Sequence, residues 1–162
     1  MRRGGGPGVA LAAMVLLPLV TSKVDVPVIA AGGIADGLGM AAAFALGAEG
    51  VQMGTRMVAA AESPIHDNWK QAIVGAAETD TVFLNRFSRP ALRALRTERT
   101  TRLEHEDNVS MGEFARVADL YFGGDLEAAI ALTGQVAGRI ESIESVEHIL
   151  HSTVRDFRAC LA

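Results

Sequence analysis

Hydrophobic residues in the first half of the chain occur in short runs that end at glycines. The run Val26–Ala31 is rich in β-branched residues at its start, and Gly32-Gly33 follows it directly. A short continuous apolar run bounded by such turn residues is typical of a strand buried on both faces. The segment Glu49–Gly54 has the same character and predicts a second strand.

An alanine-rich stretch, Met40–Leu46, lies between these two segments and predicts a helix. Asp36 is placed to cap its N-terminus, and Gly47 is placed to end it. A strand, a helix and a strand in so short a span predict a compact unit. Its two strands are expected to be parallel and joined by a right-handed crossover.

The pattern changes after Arg56, where helical spacing dominates. Pro64 predicts the first position of a helix that runs to about Ala77, and Thr81–Leu84 predicts a third short extended segment. From residue 90 onward only helices are predicted, over Ala91–Glu106, Met111–Phe122, Leu126–Ile140 and Ser145–Leu161. We therefore expect an α/β region over residues 1–87 and a helical region over residues 88–162.

The chain begins with two arginines and a glycine-rich stretch, and the apolar run Val9–Val20 follows. Secretory signal peptides have a similar order, but Pro18 interrupts this run and no small-residue cleavage site follows it directly. We interpret the run as a buried helix, and we expect a soluble cytoplasmic protein.

Composition narrows the function classes. The 162 residues amount to about one domain. Acidic residues outnumber basic ones by 19 to 15, which argues against a broadly basic nucleic-acid-binding protein. Hydrophobic residues make up 49%, so a mostly disordered chain is excluded. The single cysteine, Cys160, cannot form an internal disulfide and fits a reducing compartment.

Glycines follow both predicted strands, as Gly32-Gly33 and as Gly54 before Thr55. Glycine lets backbone N–H groups approach an anion closely. One such loop alone would indicate only a tight turn. Two neighbouring loops match the phosphate site that forms after strands 7 and 8 of a (β/α)8 barrel, and the pair therefore predicts a phosphate site.

The stretch from Val26 to Gly39 and the stretch from Leu46 to Arg56 resemble the nitronate monooxygenase family, formerly called 2-nitropropane dioxygenase. The most specific motifs are Ala-Ala-Gly-Gly-Ile at 30–34 and Gln-Met-Gly-Thr-Arg at 52–56. Three further segments are similar to the family's glycine loop after strand 6, its arginine-rich segment and its late Gly-Gln motif; they are residues 4–8, 93–97 and 134–138.

The resemblance implies the C-terminal part of an FMN-dependent (β/α)8 TIM barrel. The loop after strand 6 and strands 7 and 8 would lie within residues 1–87, and a helical cap segment with a closing C-terminal helix within residues 88–162. The flavin phosphate would be held by Ala31, Gly32, Gly33, Gly54 and Thr55. Gly4 and Gly5 would lie beside the flavin ring. The family's catalytic histidine falls at Gly6, which has no side chain to act as a base, so no catalytic residue is assigned.

By this resemblance, the activity would be the oxidative denitrification of alkyl nitronates by O2, with FMN as the cofactor and a nitronate or nitroalkane as the substrate. A flavin-dependent enoyl-ACP reductase of the same barrel family is the alternative within this class. A non-catalytic barrel remnant is the alternative from another class, because a whole barrel takes about 250 residues. Its partner would be a separate N-terminal half-barrel. No nucleic acid, membrane or metal is expected as a partner.

Other polar side chains are assigned structural roles. His148 and His151 lie three positions apart, but no cysteine or carboxylate cluster completes a metal site. His66 is expected to cap a helix or to face solvent. The six arginines from Arg86 to Arg102 are interleaved with glutamates, and we expect a solvated face or ion pairs.

Overall fold

The computed structural model describes residues 12–86, 88, 90–106 and 109–162. The helices of these residues are α1 Ala13–Thr21, α2 Gly37–Ala45, α3 Thr55–Val58, α4 Asp67–Val74, α5 Glu98–Leu103, α6 Val117–Tyr121 and α7 Val146–Ala159. The strands are β1 Ile29–Ala31, β2 Gly50–Gln52, β3 Thr81–Leu84 and β4 Leu92–Leu95. Two short 3-10 helices span Met111–Phe114 and Gln135–Arg139.

The predicted strand–helix–strand unit is confirmed. β1 and β2 pair in parallel, and α2 connects them. The Asp36 side chain caps α2 by accepting a hydrogen bond from the Gly39 N–H at 2.7 Å. Gly47 follows the end of α2 with a φ of +93°, a conformation that favours glycine. The prediction that β1 is buried on both faces is wrong, because Ile29 is 57% exposed and no other described strand pairs with β1.

The described part of the apolar run near the N-terminus forms helix α1, but the prediction that this helix is buried is wrong. Within α1 only Leu17 is buried, where it joins a cluster that includes Ala30 and Ile34. Met14 is 66% exposed, and Val15 and Leu16 are also exposed. α1 therefore packs on the sheet along one side and leaves an apolar outer face. Among the described residues, no helix is both long enough and apolar enough to cross a membrane.

A second, antiparallel sheet lies in the later part of the chain. The predicted extended segment Thr81–Leu84 is confirmed as β3, which pairs with β4. The predicted helix over Ala91–Glu106 is wrong in its first half, because β4 occupies that part. Residues 131–133 bond to the other side of β4, with the Leu95 N–H donating to the Ala131 carbonyl at 2.9 Å. The predicted helix over Leu126–Ile140 is therefore also wrong, apart from the 3-10 turn near its end.

The predicted helix over Met111–Phe122 is a 3-10 helix followed by the short α6, and α4 and α7 lie within about three residues of their predicted bounds. α4 begins at Asp67 rather than at Pro64, so the predicted start is one turn too early. His66 caps α4, with its Nδ1 accepting from the Asn68 N–H at 3.1 Å, which confirms the predicted capping role. Ser145 caps α7, as the last predicted helix requires.

α7 packs against α2 and covers the parallel unit. Gly37, the first residue of α2, lies directly against α7, since a Cβ placed there would come within 2.5 Å of the Thr153 carbonyl oxygen. Farther along, the rings of Phe44 and Phe157 are 4.9 Å apart. The last helix of the chain therefore holds the unit that carries both glycine loops.

Candidate functional site

The first glycine loop follows β1 and begins with two consecutive residues whose φ angles lie in the left-handed region. Gly32 has a φ of +95° and Gly33 a φ of +77°. A Cβ at either position would meet nothing within 4 Å, so this side of the loop faces open space. Neither N–H donates to another described backbone group outside the β1–β2 ladder. Such a turn leaves donors available to an anion.

The second loop leaves β2 and lies beside the first, because the parallel register places Ala31 opposite Gln52. Gly54 also has open space where a Cβ would point. Thr55 follows, and its hydroxyl oxygen accepts a hydrogen bond from the Gly134 N–H at 3.0 Å. The hydroxyl hydrogen of Thr55 can then be donated to a ligand.

The two loops enclose one cavity of about 200 Å³. Its lining consists of Ala31, Gly32, Gly33, Ile34, Gln52, Gly54, Thr55, Gly134 and Val136. The cavity thus brings together all five residues that the family resemblance expects to bind the flavin phosphate. Sequence reasoning missed the third wall, which Gly134 and Val136 supply, although the Gly-Gln motif at 134–138 was the signal that could have found it.

The third wall belongs to a segment, residues 134–146, that we call the C-terminal strap. It is bonded to both glycine loops. Arg139 of the strap donates from Nη2 to the Asp36 carboxylate at 2.5 Å, just beyond the first loop. Arg56, just beyond the second loop, donates to the Ser142 carbonyl at 2.7 Å and to the Glu144 carboxylate at 2.6 Å. The strap therefore fixes the position of each loop.

Arg56 is buried, and the carboxylate of Glu144 is its charge partner. The hydrogen bond from the Ser142 hydroxyl lowers the pKa of Glu144, and so does the charge of Arg56, while partial desolvation opposes both. The lowered pKa keeps this carboxylate ionised to a lower pH than that of an unperturbed glutamate. The pKa of Glu144 is lower in the folded chain than in the unfolded chain, so the ionised carboxylate stabilises the fold at pH values above its pKa in the unfolded chain. This stabilisation is lost as the pH falls through the pKa of Glu144 in the folded chain.

Two glycines allow the strap to pass close to its neighbours. A Cβ at Gly138 would lie 2.7 Å from the Glu78 Cα and 2.8 Å from the Ala77 carbonyl carbon, and these backbone atoms cannot move aside easily. A Cβ at Gly134 would lie 3.3 Å from the Thr55 hydroxyl oxygen. Close packing against neighbouring residues therefore explains why both ends of the motif at 134–138 are glycine.

A larger apolar cavity of about 520 Å³ lies between α1, β1 and α2. It shares the wall formed by residues 31–34 with the smaller cavity. Arg139 is the charged residue among those that line it. The apolar lining is continuous with the exposed outer face of α1.

Several predicted features do not contribute to the cavity as described. Gly4, Gly5 and Gly6 are outside the described residues. His148 and His151 are exposed on α7, and no group of three or more potential metal ligands occurs among the described residues.

Two of the six arginines form ion pairs as predicted, with Arg96 3.1 Å from Glu104 and Arg99 2.7 Å from Glu113. Arg89 lies outside the described residues. The arginines do not share one helix face, because Arg93 lies in β4, where its guanidinium is 5.3 Å from the centroid of the Phe83 ring. Burial, and then the charge of Arg86, lower the pKa of Arg93.

Known proteins are similar to this chain in sequence and in structure. Over 106 residues it is 42% identical to a hydroxy-methyl-oxo-octahydroindene-carboxyl-CoA dehydrogenase of Rhodococcus jostii, covering 65% of this chain and 30% of that protein. Over 97 residues it is 40% identical to a probable nitronate monooxygenase of Staphylococcus saprophyticus, covering 59% of this chain and 27% of that protein. FabK from Thermotoga maritima superposes with a TM-score of 0.87 at 39% identity, covering 94% of this chain and 51% of that chain.

The chain thus spans about half, or less, of the length of these relatives. The model of the nitronate monooxygenase family matches residues 1–156, which is nearly the whole chain. The chain therefore belongs to the nitronate monooxygenase family.

Proposed function

We propose that the cavity between the two glycine loops holds the phosphate of FMN, and that the chain serves a flavin-dependent oxidoreductase of the nitronate monooxygenase type. The observation that carries this proposal is the convergence of Gly32, Gly33, Gly54 and Thr55 on one small cavity. Backbone N–H groups and a hydroxyl are the donors that a phosphate dianion accepts from.

The residues present fit the phosphate end of the cofactor. The cavity of about 200 Å³ is smaller than the roughly 300–1,000 Å³ of pockets that bury a whole drug-sized ligand. It suits a phosphate, and the flavin ring would then extend out of it. Open space at Gly32, Gly33 and Gly54 leaves room for the anion to approach the backbone.

The proposed reaction is the oxidation of an alkyl nitronate by O2. Bound FMN supplies the electron-transfer chemistry. The described residues would anchor the phosphate and orient the cofactor. A nitronate has already lost its α-proton, so it needs no base in the enzyme. This property matches the glycine at position 6, where the family resemblance expects a histidine.

Phosphate anchoring predicts that FMN binds more tightly than riboflavin, which lacks the phosphate. We expect riboflavin to bind about tenfold more weakly or worse in a flavin-fluorescence titration, because charge-assisted hydrogen bonds contribute roughly 1.5–3 kcal/mol each. Inorganic phosphate should compete with FMN. Gly33→Ala should lower the affinity for FMN more than that for riboflavin, because a side chain strains the left-handed backbone of the loop.

Gly47→Ala is the matched control, since Gly47 also has a positive φ but lies at the far end of α2. It should destabilise the fold without changing the ratio of the two affinities. Equal affinity of the unsubstituted chain for FMN and riboflavin would contradict the proposed phosphate site.

A flavin-dependent enoyl-ACP reductase is the second candidate. The likeness to FabK of T. maritima, at 39% identity, supports it. The phosphate cavity serves both candidates equally, because it holds the part of the cofactor that they share. Product analysis separates them: nitrite and a carbonyl compound indicate the first activity, and a saturated acyl thioester indicates the second. A non-catalytic remnant would bind FMN and yield neither product.

We further propose that a polypeptide half-barrel covers the apolar outer face of α1 and the free edge of β1. The T. maritima chain superposes on this chain over 51% of its own length, with a TM-score of 0.87. The apolar side chains on this face of the chain are exposed, with relative exposures of 66% for Met14 and 57% for Ile29. Exposed apolar surfaces of this kind mark protein interfaces.

Mixing the chain with a separately produced N-terminal half of a family member tests this partner. We expect one 1:1 complex in size-exclusion chromatography with light scattering. Leu16→Lys should prevent its formation, because a lysine would then face the apolar interface. Val154→Lys, on an exposed position of α7, should have no effect. Complex formation that Leu16→Lys leaves intact would contradict the proposed surface.

A further inference from the structure

The carboxylate of Asp36 lies three positions after Gly33, at the end of the first glycine loop. One oxygen caps α2 through the Gly39 N–H at 2.7 Å, and the other pairs with Arg139 at 2.5 Å. The capping role fixes Asp36 in place, because a helix N-terminus favours an acceptor at this position. The loop that we propose to hold an anion therefore has a carboxylate fixed at its end.

Two negative charges close together repel each other, and the repulsion weakens anion binding. The positive charge of Arg139 lies beside the Asp36 carboxylate, although Arg139 belongs to the C-terminal strap and is 103 positions away in the sequence. Among the described residues, Asp36 is the ion-pair partner of Arg139 and makes no other ion pair. The net charge of the pair is zero, so the loop can accept a dianion without opposition from its own helix cap.

We propose that Arg139 is a positioning residue that neutralises Asp36 and so permits phosphate binding at Gly32 and Gly33. This inference rests on the proposed function, since it requires FMN phosphate in the cavity. Arg139 acts through Asp36 rather than by contact with the phosphate. Both side chains are partly exposed, with relative exposures of 50% for Arg139 and 37% for Asp36, so solvent reduces the effect.

The test measures the affinities for FMN and for riboflavin by flavin-fluorescence titration in the full chain. Arg139→Met should lower the ratio of FMN affinity to riboflavin affinity by about threefold to tenfold, because it leaves Asp36 unpaired. Asp36→Asn keeps the helix cap and removes the charge. In the double variant Asp36→Asn/Arg139→Met the ratio should return to within about twofold of the original value.

Two further variants complete the set. Arg139→Lys keeps the positive charge and should keep the ratio. Arg155→Met removes an ion pair on α7, with Asp156 at 2.8 Å, and should leave the ratio unchanged. Asp36→Asn alone should raise the ratio, and this result does not depend on whether Arg139→Met folds well.

Each contrary outcome identifies what fails. If the ratio in the double variant Asp36→Asn/Arg139→Met stays as low as in Arg139→Met alone, Arg139 contacts the phosphate directly and the inference is wrong. If the unsubstituted chain prefers FMN but none of these variants changes the preference, the inference is wrong and the proposed phosphate site stands. If the unsubstituted chain shows no preference for FMN, the proposed function and this inference fail together.

Discussion

Gly6→His is expected to raise the turnover of a neutral nitroalkane by about 10²- to 10⁴-fold in a complete barrel, made by joining this chain to the N-terminal half of a family member. A neutral nitroalkane must lose its α-proton before oxidation, and the family resemblance places the histidine that accepts this proton at position 6. A nitronate lacks that proton, so its turnover should change little. Steady-state kinetics with 2-nitropropane and with its nitronate measure both effects.

Gly6→Gln is the matched control, because glutamine adds bulk and hydrogen bonding but is not a base at neutral pH. It should leave nitroalkane turnover low. If both substrates respond equally to Gly6→His, position 6 does not hold the base and the alignment of the N-terminal glycine loop is wrong. High nitroalkane turnover with Gly6 in place would mean that another residue accepts the proton.

Asn85→Ala is expected to lower the free energy of unfolding by about 2–4 kcal/mol. Asn85 follows β3 with a φ of +54° and is 2% exposed. Its side chain donates to the Pro90 carbonyl at 3.0 Å and accepts from the Val109 N–H at 2.7 Å. Alanine loses both hydrogen bonds, leaves a buried N–H without a partner and strains the left-handed backbone. Chemical denaturation monitored by tryptophan fluorescence measures the change.

Asn85→Gly separates the two causes, because glycine adopts a positive φ without strain but also loses the side-chain bonds. It should be less destabilising than Asn85→Ala by about 1 kcal/mol. Equal stability of the two variants would show that backbone strain contributes nothing. An unchanged free energy in both variants would contradict the structural role of the buried amide.

The parts of the site that sequence predicted are those whose geometry is local. A short apolar run followed by glycines predicts a strand and a tight loop, and β1 with Gly32 and Gly33 follows that pattern. The cap of α2 depends on residues only three positions apart, from Asp36 to Gly39. Local sequence was sufficient to predict these features because the turns and hydrogen bonds that form them join residues only a few positions apart.

The features that sequence missed depend on distant partners. β4 consists of leucine, arginine and alanine, which favour helix in isolation, but its backbone bonds to β3 on one side and to residues 131–133 on the other. Residues 128–131 are also rich in alanine and are all buried. They form no helix, and from Ala131 onward the backbone bonds to β4, with the Ala131 carbonyl accepting from the Leu95 N–H. The third wall of the cavity follows this segment, so its position could not be predicted from local pattern.

The C-terminal strap also has a consequence for protein synthesis. Thr55 bonds to a residue 79 positions later, and Arg56 bonds to residues 86 and 88 positions later. On the ribosome, both glycine loops emerge well before the segment that completes the cavity. The parallel unit can therefore form early, whereas the cavity is complete only after Gly134 and Val136, which supply its third wall, have left the exit tunnel. We therefore expect the proposed phosphate site to become able to bind its ligand only after the parallel unit has formed.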